Sequence, residues 1–316
     1  MSQKTNTLIL EPENYSPHAL ATYRQMGKVW LTQAESEGEV SIIVVRLAYR
    51  IDRKLLDRFP SLRAVISPTT GLTHIDVEEC RCRGIEVISL AACRDAINNV
   101  TSTAELALGL MIALLRAVPS ALRDVVGNGN WNRNNFRSRQ LSRMTLGIIG
   151  LGRIGGHMAR YAKALSMEIV AYDPHQPQER FAELGALRSD LIPLLKQADI
   201  ISIHASLTEA NQGFLGNSEI AAMRSHALVI NTARGGLIDE AALADALRNG
   251  QLGGVAVDVL RDEDEGVDWI AESPLVKAAK DGFNVLITPH IGGCTSDAMH
   301  VTEESIADVA FRKFGG

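Results

Sequence analysis

The chain has 316 residues, 46% of them hydrophobic and 22% charged, with a formal net charge of −5 at pH 7. This length suffices for two domains of a globular protein, and the acidic balance gives no support for a nucleic-acid or anionic-membrane partner. The four cysteines show no C-x-x-C pair, so we predict reduced thiols and no metal site. The N-terminus lacks an apolar signal core, and the longest apolar segment, from 106 to 115, is too short to span a bilayer. We therefore expect a cytoplasmic protein.

Strand-like runs alternate with helical patterns along the chain, which predicts an α/β fold with parallel sheets. The first strands are predicted at Thr7–Leu10, Ser41–Val45, Ala64–Ser67 and Ile85–Ile88. A helix is predicted at Arg53–Phe59, and a long connecting helix at Ser102–Val118, before the polar stretch Gly127–Asn132. A second series follows at Leu146–Ile149, Ile169–Tyr172, Ile200–His204, Leu228–Asn231, Val255–Val257 and Val285–Ile287. Two separate series predict two sheets, and therefore two domains.

The second series opens with a glycine-rich turn between a strand and a helix. Gly150, Gly152 and Gly155 have the G-x-G-x-x-G spacing of a dinucleotide-binding turn. The first glycine permits a tight turn, the second lets the backbone approach a pyrophosphate, and the third lets helix and strand pack closely. Arg153 and Ile154 lie between the last two and belong to the same predicted site. The alternative is a turn without a ligand, which the flanking strand, helix and acid disfavour.

The acid is Asp173, eighteen positions after Gly155 and at the end of the next strand. A carboxylate there accepts hydrogen bonds from a ribose diol and repels the extra phosphate of NADP. Pro174, His175 and Gln176 follow, so no arginine stands beside it to bind that phosphate. We therefore predict NAD as the cofactor.

Three further strand ends carry reactive side chains, and the carboxyl ends of parallel strands line one crevice. Arg234 can grip a carboxylate with paired hydrogen bonds. His290 can give a proton to a carbonyl oxygen or take one from a hydroxyl, and Glu263 can hold the imidazole and favour its charged form. This trio suits hydride transfer to a 2-oxo acid. Each residue also has a structural alternative, as a helix cap, a core histidine or a solvated acid.

Several segments in order resemble the D-isomer-specific 2-hydroxyacid dehydrogenase family, and the resemblance covers nearly the whole chain. The matching segments are Ser102–Leu106, Gly150–Gly155, Asn231–Gly236, Ala256–Val259 and Thr288–Gly293. The resemblance implies two doubly wound parallel-sheet domains. A Rossmann NAD domain, residues 99–289, is inserted into a flavodoxin-like substrate-binding domain, residues 1–98 and 290–316. It also implies a homodimer through the NAD domain, with residues 102–145 at the contact.

The same resemblance assigns roles to individual residues. Arg234, Glu263 and His290 take the catalytic roles given above, and Asp258 would contact the nicotinamide carboxamide. His204, Thr232 and Ala233, which follow other strands, are assigned to the cofactor site. One departure is that Asp264 stands where the family commonly has proline after the glutamate, so Glu265 is a possible substitute for Glu263.

The substrate side is predicted in the N-terminal domain. The backbone near Thr70 and Gly71, after a strand, would hold the substrate carboxylate, although Gly71 also suits a plain turn. Arg46 and Asn99 match substrate-contacting positions of phosphoglycerate dehydrogenase-like members. The charge of Arg46 suggests a substrate with a second anionic group, and a surface ion pair is the equally weighted alternative.

These observations favour an NAD-dependent oxidoreductase that acts on a small 2-hydroxy or 2-oxo acid, with a domain closure that excludes water. One alternative is a non-catalytic NAD(H)-sensing scaffold or corepressor of the same fold. Another is a reductase of a larger sugar acid. Loss of the arginine, histidine or acid would favour the sensor, and all three are present.

Overall fold

The computed structural model describes residues 4–261, 263 and 269–315. The chain forms two compact units: unit 1 contains Met1–Val100 and Cys294–Gly316, and unit 2 contains Thr101–Gly293. Each unit is built on one parallel sheet with helices packed against it.

The sheet of unit 1 has five parallel strands in the order β2-β1-β3-β4-β5. Its strands are β1 (Thr7–Ile9), β2 (Val29–Leu31), β3 (Ile42–Val44), β4 (Ala64–Ser67) and β5 (Glu86–Ser89), and its first helices are α1 (Pro17–Met26), α2 (Arg53–Leu56) and α3 (Val77–Cys82). This order is the flavodoxin-like one, as predicted. Alternate residues of the buried strands face two separate apolar clusters, with Leu8 in one and Ile9 in the other.

The sheet of unit 2 has seven parallel strands in the order β12-β11-β10-β9-β6-β7-β8. The strands are β6 (Thr145–Ile149), β7 (Glu168–Tyr172), β8 (Leu187–Arg188), β9 (Ile200–Ile203), β10 (Ala227–Asn231), β11 (Leu252–Val257) and β12 (Val285–Ile287). Counted from β6, this is the Rossmann order with one added strand, and the order reverses between β6 and β9. The predicted fold class is therefore confirmed.

Nine helices are described in unit 2. They are α4 (Ser102–Leu115), α5 (Val118–Asn128), α6 (Arg153–Ala164), α7 (Gln178–Leu184), α8 (Leu191–Gln197), α9 (Asn217–Ala222), α10 (Glu240–Arg248), α11 (Trp269–Glu272) and α12 (Pro274–Lys280). The last helix, α13 (Ser296–Phe314), belongs to unit 1 and buries Ile306 and Ala310 in a cluster with Tyr23. In the described part of the chain no single helix is long and apolar enough to cross a membrane, and only the bent pair Leu90–Ile97 and Ser102–Leu115 meets that test together.

The long helix predicted over Ser102–Val118 begins as predicted but ends at Leu115, and a second helix that was not predicted follows it. The backbone at Ala117 is left-handed, with φ 47°, and a new helix starts at Val118 with proline in its first turn. Proline at that position lacks the N–H that a continuing helix would need. The new helix runs into the predicted polar stretch and stops before Gly129, which has φ 66°.

Smaller differences concern element ends. The helix predicted at Arg53–Phe59 ends at Leu56, and β11 begins three residues earlier than predicted. The other predicted strands lie within one residue of the observed ones. Sequence patterns missed β2 and β8, which have three and two residues.

Candidate active site

The turn after β6 carries the three glycines of the predicted motif. Gly150 has φ 91°, and a Cβ there would lie 2.7 Å from the backbone of His204 and Ala205. A Cβ on Gly155 would lie 2.0 Å from the Gly150 oxygen, so α6 packs on the turn only because this residue has no side chain. Gly152 has nothing within 4 Å of its Cβ position. The first and third glycines thus shape the turn, and the second leaves its surface open to a ligand.

Helix α6 begins directly after this turn, at Arg153. Its free first-turn amides and positive helix end suit phosphate groups. The Arg153 side chain is half-buried, and burial lowers the pKa of its guanidinium. Ile154 packs against the apolar cluster that contains Ile148, and it fixes the first turn of the helix to the sheet.

Asp173 lies just past the end of β7. Its Oδ2 accepts a hydrogen bond from the Leu151 amide in the glycine turn at 2.8 Å, and its Oδ1 accepts one from the His175 amide at 2.9 Å. The carboxylate therefore ties the turn to the second strand of the Rossmann core. Each carboxylate oxygen can accept a further bond, so a ribose diol also fits this position.

Two buried polar atoms follow the ends of β9 and β10. His204 Nδ1 and Thr232 Oγ1 have no hydrogen-bond partner within the described part of the chain. His204 Nε2 pairs with the Ser202 hydroxyl at 2.8 Å, and burial lowers the pKa of His204 to about 3, so its imidazole is neutral at physiological pH. Buried polar groups are rarely left unsatisfied. Both atoms are therefore available to hydrogen-bond a polar ligand at the carboxyl edge of this sheet.

The loop after β10 presents Arg234. The buried side chain of Asn231 holds this loop, because its Nδ2 donates to the Arg234 oxygen at 2.8 Å and its Oδ1 accepts from the Ala233 amide at 3.0 Å. Arg234 is half-buried, and its Nη1 donates to the Ala233 oxygen at 2.6 Å. A Cβ on Gly235 would lie 2.1 Å from the carbonyl carbon of Leu260. The loop therefore runs directly against the backbone that precedes the acidic segment, the sequence run from 262 to 265.

Asp258, at the end of β11, holds the loop that carries His290. Its side chain is buried and accepts hydrogen bonds from the Thr288 hydroxyl at 2.6 Å, the Ile291 amide at 2.9 Å and the Gly292 amide at 2.7 Å. Its backbone oxygen accepts from the His290 amide at 2.9 Å. The structure thus gives Asp258 a loop-anchoring position, and its contact with a nicotinamide carboxamide stays a prediction.

The structure brings His290 and Glu263 together. His290 has φ 53°, a left-handed conformation uncommon outside glycine. Its Nδ1 lies 3.0 Å from Glu263 Oε1, with the two side chains 28% and 19% exposed. The predicted orienting pair is therefore formed and remains accessible to solvent. Glu265, the predicted substitute, lies outside the described residues.

Glu240 anchors the chain on both sides of the acidic segment. This buried carboxylate accepts from the Arg261 amide at 2.7 Å through Oε1 and from the Ser273 hydroxyl at 2.8 Å through Oε2. Sequence reasoning did not indicate this role for Glu240, because an acidic residue is common in the first turn of a helix such as α10. It also missed the supporting roles of Asn231 and Thr288, although polar residues at the ends of apolar strands are a usable signal for such positions.

The predicted substrate residues lie in unit 1. Thr70 and Asn99 are exposed and Gly71 is half-buried. The Thr69 hydroxyl donates to the Gly71 oxygen at 2.8 Å and lies 2.7 Å from the Ser67 hydroxyl, so a small hydroxyl network shapes this loop. The contacts of these residues with a substrate stay predictions.

Arg46 is not a freely exposed cation. Its guanidinium pairs with Glu303 on α13, and the two side chains are 15% and 1% exposed. Burial raises the pKa of Glu303, whereas the Ser16 amide, Arg46 and His300 oppose that shift. The arginine predicted to contact a second substrate anion thus has an internal partner.

Unit 2 combines a Rossmann sheet, an open glycine turn and a paired histidine and glutamate, a combination typical of dinucleotide-dependent oxidoreductases. Residues 108–292 match the model described as "D-isomer specific 2-hydroxyacid dehydrogenase, NAD binding domain". The chain therefore belongs to the D-isomer specific 2-hydroxyacid dehydrogenase family, and its cofactor is NAD. The open position at Gly152, the start of α6 and the unsatisfied atoms of His204 and Thr232 fit this group.

Individual relatives carry different names. A D-3-phosphoglycerate dehydrogenase of Methanocaldococcus jannaschii is 35% identical over 85% of this chain and 49% of its own length. A hydroxypyruvate reductase of Thermotoga maritima is 33% identical over 88% of this chain and 86% of its own length. The crystal structure of a D-lactate dehydrogenase from Aquifex aeolicus, complexed with NAD and lactic acid, has a TM-score of 0.82 at 26% identity and covers 98% of this chain and 96% of that one. The chain spans about half the length of the phosphoglycerate dehydrogenases that it matches.

The different surroundings of the glycines give a first prediction. Gly152→Ala should leave thermal stability unchanged, because the added methyl meets nothing within 4 Å, but it should weaken NADH binding at least about tenfold by obstructing the phosphates. Gly155→Ala should lower stability by about 1–3 kcal/mol as an overpacked site. The measurements are thermal unfolding and NADH fluorescence titration.

Gly38→Ala is the control, because Gly38 lies in unit 1 and its Cβ position also has nothing within 4 Å. NADH binding by Gly152→Ala at the wild-type affinity would show that the pyrophosphate does not pass over this turn.

Proposed function

We propose that this protein is an NAD-dependent oxidoreductase that interconverts a D-2-hydroxy acid and its 2-oxo acid. The single observation that carries the proposal is the contact of His290 Nδ1 with Glu263 Oε1 at 3.0 Å, in a unit whose residues match an NAD-binding family model. The named relatives act on phosphoglycerate, hydroxypyruvate and lactate. These compounds have a 2-hydroxy or 2-oxo acid in common, and that group is the substrate class we propose.

His290 supplies the proton for the reaction. The pairing of its Nδ1 with Glu263 directs the Nε2–H of the protonated imidazole away from that carboxylate, as a proton donor needs. During reduction the proton passes from Nε2 to the carbonyl oxygen, and in oxidation the neutral ring takes it back from the hydroxyl. The bound nicotinamide cofactor would supply the hydride to the substrate carbon that bears this oxygen, or accept the hydride from it. A positioned acid–base group of this kind contributes on the order of 10²- to 10⁴-fold in rate.

Arg234 holds the substrate carboxylate in this proposal. A planar guanidinium binds a carboxylate through two parallel, charge-assisted hydrogen bonds, which fixes the carbonyl relative to His290. The Asn231 amide and the close approach at Gly235 support this role, because both fix the backbone that carries Arg234.

The proposed function is tested by NADH oxidation with a panel of 2-oxo acids: glyoxylate, pyruvate, hydroxypyruvate, 2-oxoglutarate and phosphohydroxypyruvate. Turnover of at least one of these 2-oxo acids would support the proposal that the protein is an enzyme. Confirmed NADH binding without any turnover would favour the NAD(H)-sensing scaffold.

The acid–base assignment predicts a specific effect of substitution. His290→Asn should lower kcat about 10²- to 10⁴-fold while NADH affinity stays within a factor of about two, because the proton donor is separate from the glycine turn. Glu263→Gln should lower kcat less, since it removes the orienting charge and keeps the imidazole. The measurements are steady-state kinetics and NADH titration.

His226→Asn is the matched control, because His226 is also a histidine with left-handed backbone, at φ 63°, and is exposed. Full activity of His290→Asn would reassign this histidine to a structural role. An equal loss in the His226→Asn variant would show that the effect is not specific to His290.

We further propose that unit 2 forms a homodimer through α5. Apolar side chains at helical spacing are exposed on this helix, including Leu122 at 62% and Val126 at 76%, and Trp131 follows at 90%. Monomeric proteins rarely expose a contiguous apolar surface of this kind, and a second copy of the same stripe would cover it.

The dimer proposal predicts a change of mass in solution. The wild-type protein should elute at twice the 34.3 kDa chain mass, and Leu122→Glu combined with Val126→Glu should elute as a monomer, because both charges would be buried at the contact. Leu187→Glu is the control, since Leu187 on β8 is equally exposed at 62%. The measurement is size-exclusion chromatography with light scattering. A dimer that survives the double substitution would place the contact elsewhere.

A further inference from the structure

The carboxyl ends of β1 and β3 form the topological switch point of the five-stranded sheet, which is where open α/β sheets bind ligands. Two features there suit an anion: the guanidinium of Arg46 and the backbone amides of residues 46–48. Each of them already holds a carboxylate from this chain.

The guanidinium of Arg46 is engaged on several sides. Its Nη2 pairs with Glu303 Oε1, and its Nη1 donates to the Glu13 oxygen at 3.2 Å. Its central carbon lies 5.0 Å from the centroid of the Tyr15 ring, which adds a cation–π contact. Its Nε is buried and has no hydrogen-bond partner in the described part of the chain, but with only 15% of the side chain exposed, little of the guanidinium is open to another anion.

Glu303 is held in place by more than Arg46. Its side chain is 1% exposed, and its Oε2 accepts a hydrogen bond from the Ser16 amide at 2.7 Å. An incoming anion would have to displace this carboxylate and leave it buried without its cation. Such an unpaired buried charge is strongly unfavourable.

Glu11 occupies the second anion-binding feature, the backbone amides of residues 46–48. Its Oε2 accepts from the Arg46 amide at 2.6 Å, and its Oε1 accepts from the amides of Leu47 at 3.3 Å and Ala48 at 3.1 Å. Successive backbone amides of this kind form an anion-binding concavity, and here the occupant is internal. At the switch point of unit 1, Glu303 therefore occupies the Arg46 guanidinium, and Glu11 occupies the backbone amides of residues 46–48.

We propose that Glu303 determines specificity by occupying Arg46, so that the substrate is a 2-oxo acid whose carboxylate is its only anionic group. The inference rests on the proposed function and names its substrate class. The sequence had suggested that Arg46 binds a second anionic group of the substrate. The present proposal takes the place of that expectation.

The test compares hydroxypyruvate with phosphohydroxypyruvate, two substrates that differ in the second anion. The wild-type protein should have a higher kcat/KM for hydroxypyruvate. Glu303→Gln should raise kcat/KM for phosphohydroxypyruvate on the order of tenfold relative to hydroxypyruvate, because it releases the arginine charge to the substrate. A double variant, Arg46→Met with Glu303→Gln, should lose this gain.

Glu304→Gln is the matched control, because Glu304 is the next residue on α13 and its Oε1 accepts from the Ser16 hydroxyl at 2.6 Å rather than pairing with Arg46. It removes the same charge and should leave the substrate ratio unchanged. A wild-type preference for phosphohydroxypyruvate overturns the inference while the proposed function stands, and this comparison needs no folded variant. An unchanged ratio in a folded Glu303→Gln variant also overturns it. No turnover of either substrate, with NADH bound, overturns the proposed function and the inference with it.

Discussion

The buried carboxylate of Asp258 is the contact on which the candidate active site depends. It accepts hydrogen bonds from one hydroxyl and two amides of the 288–292 loop, while the backbone amide of Asp258 donates to the Asn231 oxygen at 3.0 Å. One residue therefore joins the loops that follow β10, β11 and β12. Charge-assisted bonds to a buried carboxylate are strong, and they hold His290 in a left-handed conformation that a free loop would rarely adopt.

The site is built from loops that are each fixed at their base. Asn231 fixes the Arg234 loop, Asp258 fixes the His290 loop, and Glu240 fixes the chain before and after the acidic segment. Supporting polar groups of this kind can fix the side chains of an active site, where displacements of about 1 Å can cost about 100-fold in rate. The side chains of Arg234, Glu263 and His290 are themselves half-buried.

Much of this arrangement was predictable from the sequence, because it depends on local patterns. The glycine spacing and the distance to Asp173 predicted a dinucleotide site, and the strand pattern predicted two parallel sheets. Arg234, Glu263 and His290 were found because each follows an apolar run, and parallel strands bring their ends to one edge. The structure brings the predicted pair His290 and Glu263 into contact.

Other features depend on contacts that are distant in the sequence, and no local pattern reveals them. Arg46 and Glu303 are 257 residues apart, so the sequence could show the arginine but not its partner. The break at Ala117 is a different case, because Pro119 is a local signal of a helix start that the apolar periodicity does not include.

The central claim is that His290 and Glu263 complete a site for stereospecific reduction of a 2-oxo acid. The most direct measurement follows the reduction, with NADH deuterated at both C4 positions, of the best panel substrate other than glyoxylate, whose product has no D or L form. We predict that the product is the D-2-hydroxy acid with one deuterium at C2. An L product, or a product without deuterium at C2, would contradict the account.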